Sequence, residues 1–223
     1  SRECHRTRSL HRVLEYSVRK GYTYLSLYLC TGGMEKVAIS SVEPHVVSED
    51  SARRGLSEPL ETTDIALNHY RLAPGEGFPG GLHAHMDQEE VFVVLKGEAT
   101  FETLDGEIAV GEGEAIRFSP GEFQSGKNGS DSELTAVAMG APRGTEDIRI
   151  PVACPDCEHD TLRFQMRDDE LSFVCPDCDA EHVPQNCPEC CHSDLRVTLG
   201  ETTDTVVVCQ RCGAEFESPP LRS

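Results

Sequence analysis

The chain has 223 residues, with 39 acids against 20 bases, a formal net charge of −19 and no tryptophan. That length allows one sizeable domain with smaller modules, and no stretch is long and apolar enough to span a membrane. The charge argues against a nucleic-acid binder, whose affinity rests on clustered bases facing phosphates.

The charge is unevenly spread. Residues 1–33 hold six bases and two acids, whereas the remainder is acidic, with Lys36, Lys96 and Lys127 as its only lysines. Repulsion on such a surface is relieved in concentrated salt, where at about 1 M the screening length falls to about 3 Å. A halophilic, salt-adapted cytoplasm is therefore favoured over an ordinary acidic setting. Residues 1–33 lack the apolar core of a signal peptide. With Met34 following them, they read as a non-native or disordered N-terminal extension. The tyrosine-rich "GYTYLSLYL" does not suit a transit peptide, and a short buried strand there is the alternative. Residues 34–64 are polar, carry Pro44 and Pro59, and read as an N-terminal arm.

Residues 65–140 divide into short runs of strand type: "IALNHYRL", "LHAH", "EVFVVLKG", "EATFETL", "EIAVG", "EAIRFSP" and "ELTAVAMG". Glycine-rich breaks separate them, and "LDGE" at 104–107 is a hairpin signal. An all-β sandwich or barrel is predicted, with the jelly roll among the options.

"HAHMDQEEVFVVLKG" at 83–97 carries the chemistry. Alternate residues of a strand share a face, so His83 and His85 point the same way. The "MDQE" turn reverses the chain, and Glu90 then faces the two imidazoles. Two histidines and a carboxylate with open positions is the pattern of a reactive metal site. His69, Tyr70 and Arg71 lie on an early strand, and each reads more readily as structural than catalytic; no catalytic residue is legible.

Gly77, His83, His85, Glu90 and Gly97, at these spacings, resemble the first motif of the cupin family. Gly113, Gly121 and Asn128, in "GEAIRFSPGEFQSGKN", resemble the second. The resemblance implies a double-stranded β-helix, or jelly-roll barrel, with a divalent iron, manganese, nickel or zinc ion inside. His83, His85 and Glu90 would hold it, with a small-molecule ligand beside it. Two positions depart from the pattern: Ser119 stands where proline is usual, and Gln124 where the fourth ligand, a histidine, is usual. Gln124 is then a weak fourth ligand or a group that bonds substrate. The competing reading is a barrel whose metal function has lapsed. "VFVVL" is apolar on both faces, so its outer face needs a second layer or another subunit. Single-cupin proteins are commonly dimers, which implies a homodimer.

After a linker at 141–150, nine of the 11 cysteines fall between Cys154 and Cys212. Cys154, Cys157, Cys175 and Cys178 form one C-x2-C pair of pairs, and Cys187, Cys190, Cys209 and Cys212 a second. Both have the spacing of a four-thiolate zinc site. "CPDCEHDTLRF" and "CPECCHSDLRV" match at an offset of 33, so the two units, 151–183 and 184–218, are a tandem duplication that resembles the zinc ribbon family. "TLRFQMRDDELSFV" and "DLRVTLGETTDTVVV" each supply two strands and a turn. Cys191 is spare, and His159, His182 and His192 are read as surface or packing residues. Redox dithiols and a disulfide framework are both disfavoured.

Two functions fit. One is a small-molecule metalloenzyme of dioxygenase or isomerase type with structural zinc ribbons. The other is a non-catalytic sensor whose ribbons contact a protein. Residues 151–223 carry five bases and 15 acids, which disfavours nucleic acid.

Overall fold

The computed structural model describes residues 11–19, 22–30, 33–167, 170–200 and 205–222. The chain divides into two units, Ser1–Val37 and Ala38–Ser223. In the first, β1 (His11–Arg19) and β2 (Tyr22–Cys30) form an antiparallel hairpin, with His11 opposite Cys30. Residues 1–10, 20–21 and 31–32 of the expected extension lie outside the described residues.

The second unit is almost wholly strand; its helical content among the described residues is one 3-10 turn, Ile39–Ser41. No helix among the described residues is long and apolar enough to cross a membrane. Two strands arise inside the arm: β3 (His45–Ser48) and β4 (Ser51–Gly55). The seven runs read from the sequence follow as β5 (Ala66–Leu72), β6 (Ala84–His85), β7 (Glu89–Lys96), β8 (Glu98–Thr103), β9 (Gly106–Gly111), β10 (Ala115–Phe118) and, after β11 (Ser125–Lys127), β12 (Leu134–Ala141).

A six-stranded sheet, in the order β10-β7-β12-β5-β4-β3, faces a three-stranded sheet, β11-β8-β9. The strict alternation of β12, with Leu134, Ala136, Ala138 and Gly140 inward, gives the first sheet one dry face. Tyr70, Leu72, Phe78, Phe92, Val94, Phe101 and Phe118 fill the space between the sheets. Phe78 packs edge-on against Tyr70 and Phe92, at centroid separations of 4.9 and 5.2 Å, within the range that favours aromatic pairs. Asn128 is wholly buried, and its amide donates to the carbonyls of Leu72 and Ser132, closing the loop after β11.

The segment expected as a linker contains a strand, β13 (Ile148–Ile150). On one side it pairs with β6, placing Ile148 opposite His85; on the other it pairs with β14 (Leu162–Arg167). β15 (Glu170–Val174) and β16 (Glu181–His182) complete a five-stranded sheet that runs from the barrel into the first cysteine-bearing unit. The second such unit has the same three-strand plan: β17 (Leu195–Leu199), β18 (Thr205–Cys209) and β19 (Glu215–Phe216). Residues 168–169 and 201–204, where the sequence reading expects the turns, lie outside the described residues.

Both units close over the loop that leads into β6. Leu82, Ile150, Val152, Leu162, Phe173, Val197 and Val207 share a second apolar core with Cys154 and Cys175. The Leu82 N–H donates to Val197 O at 2.7 Å. Gly81 is there because of this approach: a Cβ at that position would lie 2.6 Å from Val197 O.

Candidate metal centres

β6 and the start of β7 carry the barrel cluster. The backbones of His83 and Gln124 exchange two hydrogen bonds, of 3.1 and 2.8 Å, and Glu90 lies opposite Phe118 at the mouth of the large sheet. One donor atom from each of His83, His85 and Glu90 falls within 4.8 Å of the others. The two Nε2 atoms are 3.2 Å apart, and His85 Nε2 is 3.5 Å from Glu90 Oε2.

The tautomer of His83 follows from its partner. Its Nδ1 is 2.7 Å from Gly81 O, which can only accept, so Nδ1 carries the proton. The Nε2 lone pair is thereby aimed at His85, and two imidazole nitrogens this close require a proton or a cation between them. Burial holds the pKa of His85 below the usual histidine range. The Glu90 charge opposes that shift, the His83 charge adds to it, and Asp87 opposes it. A neutral imidazole is the form that binds metal. Its own Nδ1 is buried and has no partner among the described residues.

Gln124 is buried, and its amide nitrogen donates to Glu90 Oε2 at 2.9 Å. The amide thus fixes the carboxylate that faces the imidazoles. Tyr70 lines the adjoining cavity, while its neighbours His69 and Arg71 project from the opposite face of β5. The cavity has a volume of about 430 Å³ and is walled by Phe78 and Phe92 on the barrel side and by Ile148, Ile150 and Phe164 on the other. Phe164 belongs to β14, so the first cysteine-bearing unit supplies part of the wall. Sequence reasoning missed Arg53, which lines the cavity from β4, and Arg143, which lines it from beyond β12.

The cysteine clusters are built from one repeated turn. In each of the four knuckles the first cysteine's N–H bonds to the carbonyl five residues on, and its own carbonyl accepts the N–H four residues on. The residue at that fourth position is left-handed every time: Glu158, Asp179, Cys191 and Gly213, with φ of 62°, 59°, 60° and 72°. Cys191 therefore occupies the turn position and is exposed, while Cys190 Sγ lies 3.5 Å from Cys209 Sγ.

The sulfur spacings are 3.8 Å for Cys154–Cys178, 3.5 Å for Cys157–Cys175 and 3.7 Å for Cys187–Cys212. Zinc–sulfur bonds of about 2.3 Å in a tetrahedron have edges of about 3.8 Å, so both quartets fit that ion. The spacings are far too long for disulfides. The backbone N–H of Cys212, helped by that of Arg211 against the cost of burial, brings the Cys209 thiol down to about 6. Burial pushes Cys175 up, but the N–H groups of Cys178 and Asp177 outweigh it and bring that thiol to about 6 as well. In the same quartets Cys157 and Cys190 go the other way, up to about 12: hydrogen bonds from the backbone at His159 and His192 favour their thiolates, but burial and the neighbouring thiols outweigh them. His182 Nε2 lies 3.8 Å from Cys154 Sγ and 3.6 Å from Asp156. His159 meets Thr161, and His192 accepts from the Asp194 N–H.

Residues 68–140 match the cupin domain family, Cupin_2. The chain carries a cupin domain there. The match ends before the first cysteine pair. Among solved structures, a sugar phosphate isomerase of the cupin superfamily from Silicibacter pomeroyi is similar over 65% of this chain and 94% of its own, at 20% identity and a TM-score of 0.51. A polyketide cyclase from Streptomyces resistomycificus covers 56% of this chain and 89% of its own, at 23% identity and a TM-score of 0.46. A putative sugar phosphate isomerase from Acidithiobacillus ferrooxidans covers 60% and 84%, at 17% identity and a TM-score of 0.45. At these identities the likeness to the first shows the cupin fold and nothing more. No curated protein matches the chain.

Proposed function

We propose that the protein is a metal-binding cupin that acts on a small molecule as a metalloenzyme of dioxygenase or isomerase type. His83, His85 and Glu90 hold a divalent transition metal, and two zinc ions are held by Cys154, Cys157, Cys175 and Cys178 and by Cys187, Cys190, Cys209 and Cys212. The observation that carries this reading is the convergence of two imidazole nitrogens and one carboxylate oxygen within 4.8 Å at the wall of an apolar-lined cavity.

When bound, the barrel metal supplies Lewis acidity or a redox centre, with positions left for substrate and water or oxygen. The protein's own part is positioning. Gly81 fixes the His83 tautomer, Gln124 holds Glu90, and Phe78, Phe92 and Phe164 give the cavity its apolar wall. Such partners behind the ligands commonly change metal affinity about 10–100-fold when removed. In the cysteine units, thiolates that fill a tetrahedron leave no open position, so their zinc serves folding. Each unit is then a zinc ribbon. Their apolar faces are spent on the Leu82–Val197 core, which supports docking on the cupin barrel rather than capture of a separate partner.

Elemental analysis of the purified full chain tests the assignment. Two zinc and one further divalent metal per chain are expected, and Glu90→Ala is expected to lose the further metal while keeping both zinc ions. Two zinc alone in the parent chain, or an unchanged third metal in E90A, overturns the barrel assignment.

A further inference from the structure

The cavity is electrostatically unlike the rest of the molecule. The chain has 39 acids, yet among the described residues Glu90 is the one carboxylate in the cavity lining, against the guanidinium groups of Arg53 and Arg143. Arg143 is already satisfied: it donates to the Thr62 carbonyl and pairs with Glu58. Arg53 has no carboxylate or carbonyl partner among the described residues. Its Nε is buried with no acceptor among the described residues, and it makes no ion pair there. Its guanidinium hydrogen-bonds the hydroxyl of Tyr70, the residue opposite it in the β4–β5 pairing, which is a neutral partner and not a counter-charge.

A guanidinium stays charged at any working pH and presents a planar fork that matches an oxyanion. Leaving such a group part-buried without a counter-charge is costly. Glu90 cannot serve, because its carboxylate already faces His85 and accepts from Gln124. Arg53 and Tyr70 line the same cavity as Glu90, His83 and His85. A ligand touching both ends of this arrangement would carry its anionic group at Arg53 and its reacting atoms at Glu90, His83 and His85. About 430 Å³ is at the small end of ligand cavities.

We propose that the cavity takes a small organic anion, a carboxylate or a phosphate monoester, whose charged end is gripped by Arg53. The claim that its other end meets a metal rests on the preceding functional reading; the claim that Arg53 binds an oxyanion does not.

The test is calorimetric titration of the full chain, with and without added Mn(II), using malonate, inorganic phosphate and neutral malonamide as probes. At least one anion is expected to bind and malonamide not to. Arg53→Gln is expected to weaken anion binding tenfold or more at unchanged Mn(II) affinity, and Arg53→Lys, which keeps the charge without the fork, to fall between them. Malonate against phosphate decides which anion the fork prefers. Anion binding equal in parent and R53Q overturns the proposal, as does equal binding of malonamide or no binding of either anion. If R53Q fails to fold, Arg53→Met decides the same point: a tenfold loss of anion affinity in R53M with an intermediate loss in R53K sustains the site, and parent-like affinity in R53M overturns it. A parent that takes up none of Mn(II), Fe(II), Ni(II) or Zn(II) in the barrel but loses anion binding through R53Q sustains the anion site and removes the metal reading.

Discussion

Cys191 shows how much a single backbone angle decides. It sits next to Cys190, and composition alone makes either a ligand. In the structure it holds φ at 60°, at the position that Glu158, Asp179 and Gly213 take in the other knuckles. A non-glycine residue in that region carries roughly 1 kcal/mol of strain. Cys191→Gly is expected to be neutral or to stabilise by up to about 1 kcal/mol, with two zinc ions retained, measured by thermal unfolding and metal analysis. Loss of one zinc would mean that Cys191 belongs to the tetrahedron. The offset of 33 between the two units pointed to Cys190 in the sequence, because duplicated turns keep their ligands in register. Arg53 was not legible in that way. "SARRG" offers two adjacent arginines in a polar arm, and only the pairing of Arg53 with Tyr70 shows which one faces the cavity.

At the scale of elements, alternation and glycine made β5, β7, β8, β9 and β12 visible, because each keeps one wet and one dry face or ends at a turn. β13 was invisible: three residues are too few for a period, and its role is set by partners on both sides. The same is true of β3 and β4, whose place in the large sheet is a tertiary fact. The tight contact between Gly81 and β17 makes a further expectation. Gly81→Ala forces a Cβ against the Val197 backbone and is expected to cost about 1–3 kcal/mol, as overpacking does. It is also expected to weaken metal binding at His83, two residues on, with both zinc ions kept. An unchanged melting temperature and an unchanged barrel-metal affinity would show that β17 yields without consequence.

At the scale of the whole molecule, the large sheet has an outer face to account for. Val91 and Val93 alternate with buried Phe92 and Val94, and Val137 lies opposite both Val93 and His69. These part-exposed side chains, with Leu95 at 49% exposure, make an apolar strip on a strongly acidic chain. A homodimer covering it is expected, read as twice the 24.5 kDa chain mass by light scattering in concentrated KCl. Val93→Lys is expected to split it; a monomeric parent would leave the strip to another cover. The apolar character of the outer face was legible in "VFVVL", but which surface meets it was not, since one sequence carries no record of its neighbours.

The two-sided pairing of β13 also sets an order of events as the chain is made. His83, His85 and Glu90 leave the ribosome well before Ile148–Ile150, the strand that flanks β6, and before the cysteines whose closure holds that strand in place. Until then β6 has an open edge and the cavity lacks its Phe164 wall. If His83, His85 and Glu90 hold a metal as proposed, the nascent barrel would show them to the surrounding ion pool before β13 and Phe164 are in place, and the finished site would exist only once the final third of the polypeptide had emerged.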